Sequence, residues 1–588
     1  MLRAESGDPI STALHASAKR LAGVAIISGA INLLTLSGSL YMLQVYDRVL
    51  PGRSVATLIG LSAIVLAAYA FQGYFEAARS RMMARIGTLF DVALQTPIHR
   101  AVATLPLKGA KAAATQQPLR DLDQIRGFLS GMGPTAFLDM PWIPIFLLAL
   151  FVFHPLIGIV AMSGAAAIVA MTLATERSTK DAAKATNDVS AERQVLADAT
   201  RLNAEVLRAL GMAGRFAARF AEANERYLQE NARVTDTYAN LGAIAKVLRY
   251  VLQSAILGIG AYLVIIEQAS GGIMIASSIM MGRALAPIEV ALANWKQLTA
   301  ARAAVDRLRE VLKTTTPPTA PTVALPRPHQ SLMVENLTVA VPGSDRAVVT
   351  NVSFTLRAGM GLALLGASAA GKSSLTRALA GIWPASSGVI RLDGAALEQW
   401  DPDALGRHVG YLPQDVALFD GTVAENIARF DPDASSNTIL EAARLAGAHE
   451  MILRLPNGYA TRIGERGASL SAGQRQRVGL ARAVFGDPFL IVLDEPNANL
   501  DRDGELALVR AIDALRRAGR IVVLVSHRPD AIAALDIAMV LYEGRMIAFG
   551  PREQIFARVA QAARPAPARD PRVARAEAMP RRNRGAPA

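Results

Sequence analysis

The chain has 588 residues, of which 52% are hydrophobic and 19% charged, with a mean hydropathy of +0.28. A soluble chain carries about 25% charged residues and a disordered one needs low hydrophobicity, so neither a plain array of about four soluble domains nor a disordered chain fits, and much of the chain reads as membrane-embedded. The net charge of +13 suits nucleic acid or an anionic membrane face, and only its placement decides between them. The absence of Cys excludes disulfides, Cys-ligated clusters and thiol nucleophiles.

Met1–Arg20 lacks a short apolar core followed by a cleavage site, so no removable signal peptide is expected there. Leu21–Tyr46 is uncharged for 26 residues and Ser54–Phe75 for 22; each is long enough to cross a hydrocarbon core, which takes about 20 helical residues. Asp47–Arg53 between them reads as a tight polar turn. Met140–Thr175 is uncharged for 36 residues, with His154-Pro155 inside it. Proline there is compatible with a break, giving two helices and a hairpin, the first reaching back past Asp139 toward Phe128. Tyr250–Ile266 and Gln268–Gly282 supply 17 and 15 uncharged residues around a turn at Gly271-Gly272, so the last helix must continue through Arg283 and Glu289. Six spans result.

Lys and Arg in the loops set orientation. Glu76–Ala136 holds eight basic residues and Glu176–Lys246 eleven, against two, none and none in the hairpins near Asp47, His154 and Glu267. Both chain ends and both long loops are therefore expected on the cytoplasmic side, and much of the basic excess is topology rather than nucleic-acid binding. The long loops carry helical periodicity, as in Val195–Ala223, and read as membrane helices extended into the cytoplasm. Thr314–Pro328, with five prolines in fifteen residues, marks a linker that runs to about residue 330. From residue 331 to about 560, short apolar strands alternate with amphipathic helices, the pattern of an α/β domain. Residues 561–588 are Ala, Pro and Arg and read as a disordered tail, solvated or touching a membrane surface.

The chemistry lies in that α/β segment. The buried-strand run Gly361–Leu365 is followed by Gly366-Ala-Ser-Ala-Ala-Gly371-Lys372-Ser373 and an amphipathic helix, which is the phosphate-loop pattern in its strand–loop–helix context. Backbone amides of such a loop surround the β-phosphate. Lys372 would neutralise the β- and γ-phosphates, and the Ser373 hydroxyl would ligate Mg²⁺. A second apolar strand, Phe489–Leu493, leads into Asp494-Glu495. Asp494 is placed to hold Mg²⁺ through water, and Glu495 to polarise the water that attacks the γ-phosphate. A third strand, Ile521–Val525, ends in Ser526-His527. A lone His is more often structural, but one at a strand end beside two others of this kind points to a γ-phosphate contact.

Leu470-Ser-Ala-Gly-Gln474 settles the class. With it, the sequence resembles ATP-binding-cassette ATPases through five motifs in the family order: the phosphate loop at 366–373, a Q-loop at Gln414, the signature at 470–474, Asp494-Glu495, and His527. A D-loop is present at Asn499-Leu500-Asp501. The resemblance implies ATP contacts from Gly366, Ser368, Gly371, Lys372, Ser373, Ser374, Gln414 and Asp494, and a metal shell of Ser373, Gln414 and Asp494. It also implies a head-to-tail homodimer in which Ser471, Gly473 and Gln474 of one chain contact the ATP of the other. There are two departures. Ala472 replaces the first glycine of the signature, costing about 1 kcal/mol if that backbone has φ above zero. Val341 stands where an aromatic commonly stacks on adenine.

In the membrane half, Leu40–Leu50, Phe137–Pro144 and Met281–Pro287 look like type I secretion permease/ATPases, in the subgroup exporting proteases, lipases and calcium-binding repeat proteins. This implies a polytopic six-helix domain fused to an ATP-binding α/β domain in a bacterial inner membrane. It also implies a membrane fusion protein and an outer-membrane duct as partners, and an unfolded protein substrate with a C-terminal signal. Without Cys, leader cleavage by a cysteine peptidase, as in related bacteriocin exporters, is not expected. A lipid or drug flippase and a non-translocating ATPase serving as sensor or scaffold are the rival readings; intact Glu495 and His527 argue against the latter. Asp139, Arg283 and Glu289 are costly against lipid and read either as channel wall or as ion-paired. Gly211–Gly214 lies where such exporters have a coupling helix.

Overall fold

The computed structural model describes residues 9–110, 112–315, 325–464 and 467–562. Most of the proline-rich linker (316–324) and the Arg-rich tail from 563 onward lie outside the described residues. The chain divides into two compact units, Met1–Pro317 and Pro318–Ala588.

The described residues of the first unit form helices joined by short turns. With no water in a hydrocarbon layer, every backbone N–H and C=O must be paired within the segment, which a helix does by itself. Six helical stretches are long and apolar enough to cross a membrane: Pro9–Gly52, Val55–Lys108, Gly133–Phe153, Pro155–Thr172, Ala213–Ile265 and Gly271–Ala293. Three helices far exceed a bilayer. Val55–Thr104, Pro155–Leu202 and Ala213–Ile265 have 50, 48 and 53 residues, or about 75, 72 and 80 Å at 1.5 Å per residue, against a hydrocarbon core of about 30 Å. The latter two pack along each other and are joined by a short helix, Ala204–Ala209, and a turn with Gly211 at φ 63°.

One local expectation changes. The polar segment after Tyr46 is not itself the turn. The first helix continues through one π turn, Val45–Val49, and Leu50–Gly52, and the reversal falls on Arg53 at φ 48° and Ser54, which caps the next helix by accepting from the Thr57 N–H. No helix breaker precedes Pro51, so the helix runs on to it. Asp47, thereby held on a helix face, reaches a different hairpin: its carboxylate accepts from the Gly272 N–H at 2.8 Å and the Ser270 hydroxyl at 2.6 Å. A carboxylate at the positive N-terminal end of Gly271–Ala293 is favourably placed. The third span reaches back past Asp139 toward Phe128, as expected, and starts at Gly133. The helix Ala112–Ser130 ends just short of that start, because Gly131 and Gly133 favour a break and Pro134 fits only a first turn. The hairpin at His154 forms as expected, with extended His154 capping the next helix.

The charged residues of the spans are mostly paired. Asp139 meets Arg79 at 3.0 Å and accepts from Asn32 at 2.8 Å, and Arg79 also donates to the Ser28 hydroxyl. Glu289 lies 2.6 Å from Arg249. Arg283 is exposed and borders a polar cavity of about 160 Å³ together with Asp139 and Glu76. Away from the long apolar stretches, buried Asp121 pairs with Arg307 at 2.6 Å.

The second unit holds two sheets. The smaller, in the order β2-β1-β4-β5, is antiparallel and consists of β1 (Ser331–Ala340), β2 (Ala347–Arg357), β4 (Ser387–Leu392) and β5 (Ala395–Ala396). The larger has the order β10-β9-β3-β8-β7-β6, formed by β3 (Gly361–Leu365), β6 (Val409–Leu412), β7 (Leu490–Asp494), β8 (Ile521–Val525), β9 (Ile537–Tyr542) and β10 (Arg545–Pro551). Its β9-β3-β8-β7-β6 portion is parallel. β7 and β8 are buried at every residue, which is why they read as continuous apolar runs rather than alternating ones.

Asp47→Ala removes both hydrogen bonds to the Ser270–Gly272 turn. A cap of this kind contributes about 0.5–2 kcal/mol, so the purified full chain should melt a few degrees lower, with secondary structure unchanged by circular dichroism. An unaltered melting temperature would show that the tie contributes nothing.

Candidate nucleotide site

The parallel order β3-β8-β7-β6 brings the ends of four strands to one edge. β3 leads into the phosphate loop, β8 into Ser526-His527, β7 into Asp494-Glu495 and β6 into Pro413-Gln414. Register fixes their depth: Leu364 and Asp494 both pair with Val525. Ligands of open α/β sheets bind outside the carboxyl ends of the strands.

The loop needs its glycines. Gly366 and Gly371 have φ of 151° and 97°, and an added Cβ would lie 2.4 Å from the Leu541 carbonyl oxygen or 2.7 Å from that of Val348. Ala369, at φ 63°, takes the same left-handed region without being glycine, a local strain of order 1–3 kcal/mol of the kind that functional loops carry. Lys372 is buried, and its ammonium donates to the carbonyls of Gly366 and Ala367 at 2.7 and 3.0 Å, which holds its charge within the loop. Ser368 is exposed on the loop, and Ser374 is half-buried in the helix Lys372–Leu379 behind it.

The structure brings Ser373 and Asp494 together. Asp494 is buried, accepts from the Thr376 hydroxyl at 3.4 Å, and lies beside Ser373. Burial holds its carboxyl above the usual range, the Ser373 hydroxyl beside it opposes this, and the neighbouring charge of Glu495 adds to it. Its Oδ1 has no hydrogen-bond partner among the described residues. A buried carboxylate oxygen with no donor, next to a serine hydroxyl, is the oxygen-only donor set that suits Mg²⁺. Gln414, the third metal candidate, donates through its side-chain N–H to Glu495 Oε2 at 3.1 Å. Glu495 is in the left-handed region at φ 51°, its N–H held by the Val525 carbonyl at 3.0 Å. On its other side, His527 Nε2 is 3.9 Å from Oε1. Gln414, Glu495 and His527 thus form one polar cluster beside Ser373 and Asp494.

Ser471, Gly473 and Gln474 form a separate group at the start of the helix Ala472–Val484. Ser471 Oγ accepts from the Gln474 N–H, and Gln474 Oε1 accepts from the Ser471 N–H, a reciprocal capping box. Among the described residues, none of these bonds reaches the phosphate loop. The condition attached to Ala472 is not met: it is the first helical residue with ordinary φ, so alanine carries no left-handed strain there. Val341 lies just past β1 in a turn closed by its N–H bonding the Arg346 carbonyl, and it is exposed.

Several residues that sequence reasoning missed tie these groups together. Buried Gln476 donates to the Pro496 carbonyl at 2.9 Å, Arg477 pairs with Asp501, and a Cβ on Gly473 would fall 2.8 Å from the Asn499 carbonyl oxygen. The signature helix is therefore fastened to the segment that follows Glu495. Asp501 also caps the helix Arg502–Arg517, so the D-loop aspartate is engaged within its own chain. Arg429 donates to the carbonyls of Arg482 and Ala483 at the far end of the signature helix and to Val409 of β6, and burial lowers its guanidinium to about 10. The Ser526 hydroxyl donates to Asn497 at 3.1 Å, joining the ends of β7 and β8. No spacing signal marks these contacts, because Gln476 and Arg477 on a helix read as surface and Arg429, in a turn at φ 56°, belongs to no motif.

Asp494→Asn in the nucleotide-free, Mg²⁺-free full chain removes a carboxylate whose ionised form the fold disfavours. Because the folded pKa is raised, ionisation costs stability as pH rises. The variant should therefore melt several degrees higher than the parent at pH 8, from about 1–3 kcal/mol of relieved desolvation. That gap should shrink as the pH is lowered and Asp494 takes up its proton. Hydrolysis should fall by at least tenfold. A lower melting temperature at pH 8 would contradict this account of the buried carboxylate.

The chain matches two family descriptions: "ABC transporter transmembrane region" over residues 22–285 and "ABC transporter" over 349–498. It is 50% identical to "Type I secretion system ATP-binding protein PrsD" of Rhizobium meliloti (strain 1021), across 95% of both chains. It is 28% identical to "Toxin RTX-I translocation ATP-binding protein" of Actinobacillus pleuropneumoniae, over 90% of this chain and 76% of that one. It is 27% identical to a "Leukotoxin translocation ATP-binding protein LktB" of Mannheimia haemolytica, over 90% and 75%. The fold is shared with a solved bacterial Atm1-family ABC exporter with ATP bound, at TM-score 0.80 and 22% identity over 94% of this chain and 99% of that one. With six spanning helices and an ATP-binding unit in one chain, this protein belongs to the ABC transporter family, among the type I secretion permease/ATPases.

Proposed function

We propose that the chain is the inner-membrane permease/ATPase of a type I secretion system, using ATP binding and hydrolysis to export an unfolded polypeptide. The observation that carries this reading is the likeness to a type I secretion ATP-binding protein across both the membrane and the ATP-binding units. The rival flippase reading shares the fold but not that likeness. The scaffold reading is disfavoured by the cluster of Gln414, Glu495 and His527, which a non-hydrolysing protein has no use for.

The chain's own groups divide the work. Loop amides and Lys372 bind the β- and γ-phosphates, and Ser373 and Asp494, with the Gln414 side-chain oxygen, would hold Mg²⁺. When bound, that ion would neutralise charge developing on the phosphate oxygens. Glu495, oriented by Gln414, polarises the attacking water, and His527 contacts the γ-phosphate. Ser471, Gly473 and Gln474, remote from the chain's own phosphate loop in their bonding, serve the ATP of a second copy, so the working unit is a homodimer. Both termini and the ATP-binding unit face the cytoplasm, following the basic loops. A membrane fusion protein and an outer-membrane exit duct complete the path, and the substrate carries a C-terminal signal. The turn at Gly211–Gly214 serves as the coupling element. No nucleic acid is involved.

Glu495→Gln should leave ATP binding intact and lower turnover by more than tenfold, about 1.4 kcal/mol or more in barrier, with a nucleotide-bound dimer accumulating. Lys372→Ala should weaken nucleotide binding itself. A Glu495→Gln chain turning over within tenfold of the parent would remove Glu495 from its role.

The shared site has its own test. A mixed dimer of Lys372→Ala with Ser471→Arg places both lesions in one composite site and leaves the other intact, so ATPase activity should return above that of either mutant homodimer. Purified mixed dimers with no recovery would mean that each site is built within one chain. Export is tested by co-expression with the fusion protein and duct: a secreted polypeptide should reach the medium only with Glu495 and Lys372 intact.

A further inference from the structure

Glu495 keeps a backbone that its own sequence disfavours. A proline pushes the residue before it toward extended backbone with negative φ, yet Glu495 precedes Pro496 and has φ 51°. Such a conformation persists only where its surroundings over-determine it. The Glu495 N–H donates to the Val525 carbonyl at 3.0 Å, its carbonyl accepts from the Ala498 N–H at 3.2 Å, and its carboxylate accepts from Gln414 at 3.1 Å. A side chain from another segment also holds the main chain of this turn. Gln476 Nε2 donates to the Pro496 carbonyl at 2.9 Å, and both residues are buried. The ring of Pro496 fixes its φ, so little freedom separates that carbonyl from the backbone of Glu495.

Gln476 belongs to the helix Ala472–Val484 and shares a face with Gly473 and Arg477, because residues three and four apart are neighbours on a helix. All three meet the segment that follows Glu495, in different ways. Gly473 lets the helix backbone approach the Asn499 carbonyl, and Arg477 pairs with Asp501, whose side chain is 67% exposed. An ion pair with so exposed a partner contributes little. A buried amide on a buried carbonyl is another matter, since removing the donor leaves the acceptor dry and unpaired. Of these three contacts, the Gln476 bond is therefore the one whose loss the turn cannot absorb by turning to water.

We propose that Gln476 is a positioning residue for hydrolysis: by holding the Pro496 carbonyl, it keeps Glu495 in the left-handed turn that sets its carboxylate between Gln414 and His527. Without this bond the turn relaxes toward the extended backbone that proline favours, and the carboxylate leaves the cluster. The inference rests on the reading of Glu495 as the group that polarises the attacking water. Gln476 stands about one and a half helical turns after Ser471. The helix that carries Ser471, Gly473 and Gln474 thereby also sets the aim of the chain's own Glu495.

The test uses the full chain in nanodiscs with ATP and Mg²⁺. Gln476→Met keeps an unbranched side chain of similar length and removes the donor. It should lower kcat by about 10- to 100-fold, the range that a misplacement of about 1 Å produces. ATP affinity, measured by direct binding, should stay within about twofold of the parent, because the phosphate loop is untouched. Gln476→Asn, which keeps an amide but withdraws it by one methylene, should show the same split between turnover and affinity. In a Glu495→Gln chain, followed by single-turnover hydrolysis, Gln476→Met should add no further loss, because the group that it positions is already gone. Turnover of Gln476→Met within about threefold of the parent overturns the proposal. So does a loss of ATP affinity in step with turnover, or a full additional loss on top of Glu495→Gln, since either would make Gln476 a packing residue. Near-parental turnover by Glu495→Gln alone would bring down the reading of Glu495 and the proposal with it, whereas a slow Glu495→Gln beside a fast Gln476→Met brings down the proposal alone.

Discussion

The parallel register of β3, β8, β7 and β6 is the constraint on which the chemistry depends. In a parallel sheet every strand ends in the same direction, so four segments distant in sequence deliver their following residues to one edge. Asp494 can be buried there because β7 is covered on both faces, and its burial leaves one oxygen without a donor. The same burial raises its proton affinity, which a cation would reverse. Glu495, one residue on, escapes the strand by taking a left-handed backbone that turns its side chain toward Gln414 and His527. Two adjacent carboxylates therefore acquire different environments from one change of backbone direction. That difference suits one to holding an ion and the other to orienting water.

The membrane unit faces the opposite problem, since polar groups must be kept from lipid rather than offered to a ligand. Asp139, Arg79, Asn32 and Ser28 satisfy one another across three helices, and Glu289 is neutralised by Arg249. These pairs add little net stability against apolar replacements, but removing one partner leaves an uncompensated charge. Their effect is to fix which helices meet and at what height. Arg283 differs, being exposed on a polar cavity, and so remains available for the channel wall.

The spans and the chemical motifs were legible because each rests on a strong local signal: long uncharged runs, and glycines and carboxylates at fixed spacing after apolar strands. Asp47 could not be placed, since its partners Ser270 and Gly272 are more than 220 residues away. The backward extension of the third span past Asp139 is legible from the length a crossing needs, whereas its start is set by the break at Gly131, Gly133 and Pro134. Ala472 was suspected of strain from its motif alone, whereas its place as the first residue of a helix makes alanine an ordinary choice. Gln476 and Arg477 lie on a helix and Arg429 in a turn at φ 56°, yet one reason for their escaping notice covers all three. A long polar side chain looks solvated until a carbonyl or carboxylate from another segment is seen beneath it.

The Asp47 tie has a geometric consequence for movement. It fastens the hairpin leading into Val55–Thr104 to the turn that opens Gly271–Ala293. A rod of about 75 Å pinned at one end travels about 1.3 Å at its far end for each degree of tilt. There Phe90, Leu94, Ile98 and Ala101 are packed with the helices Pro9–Gln44, Ala112–Ser130 and Trp295–Thr315, which move with it. Rotations too small to disturb side-chain packing at the pinned end thus become displacements of several ångströms at the far end. Two hydrogen bonds from a single aspartate set the fulcrum of that lever.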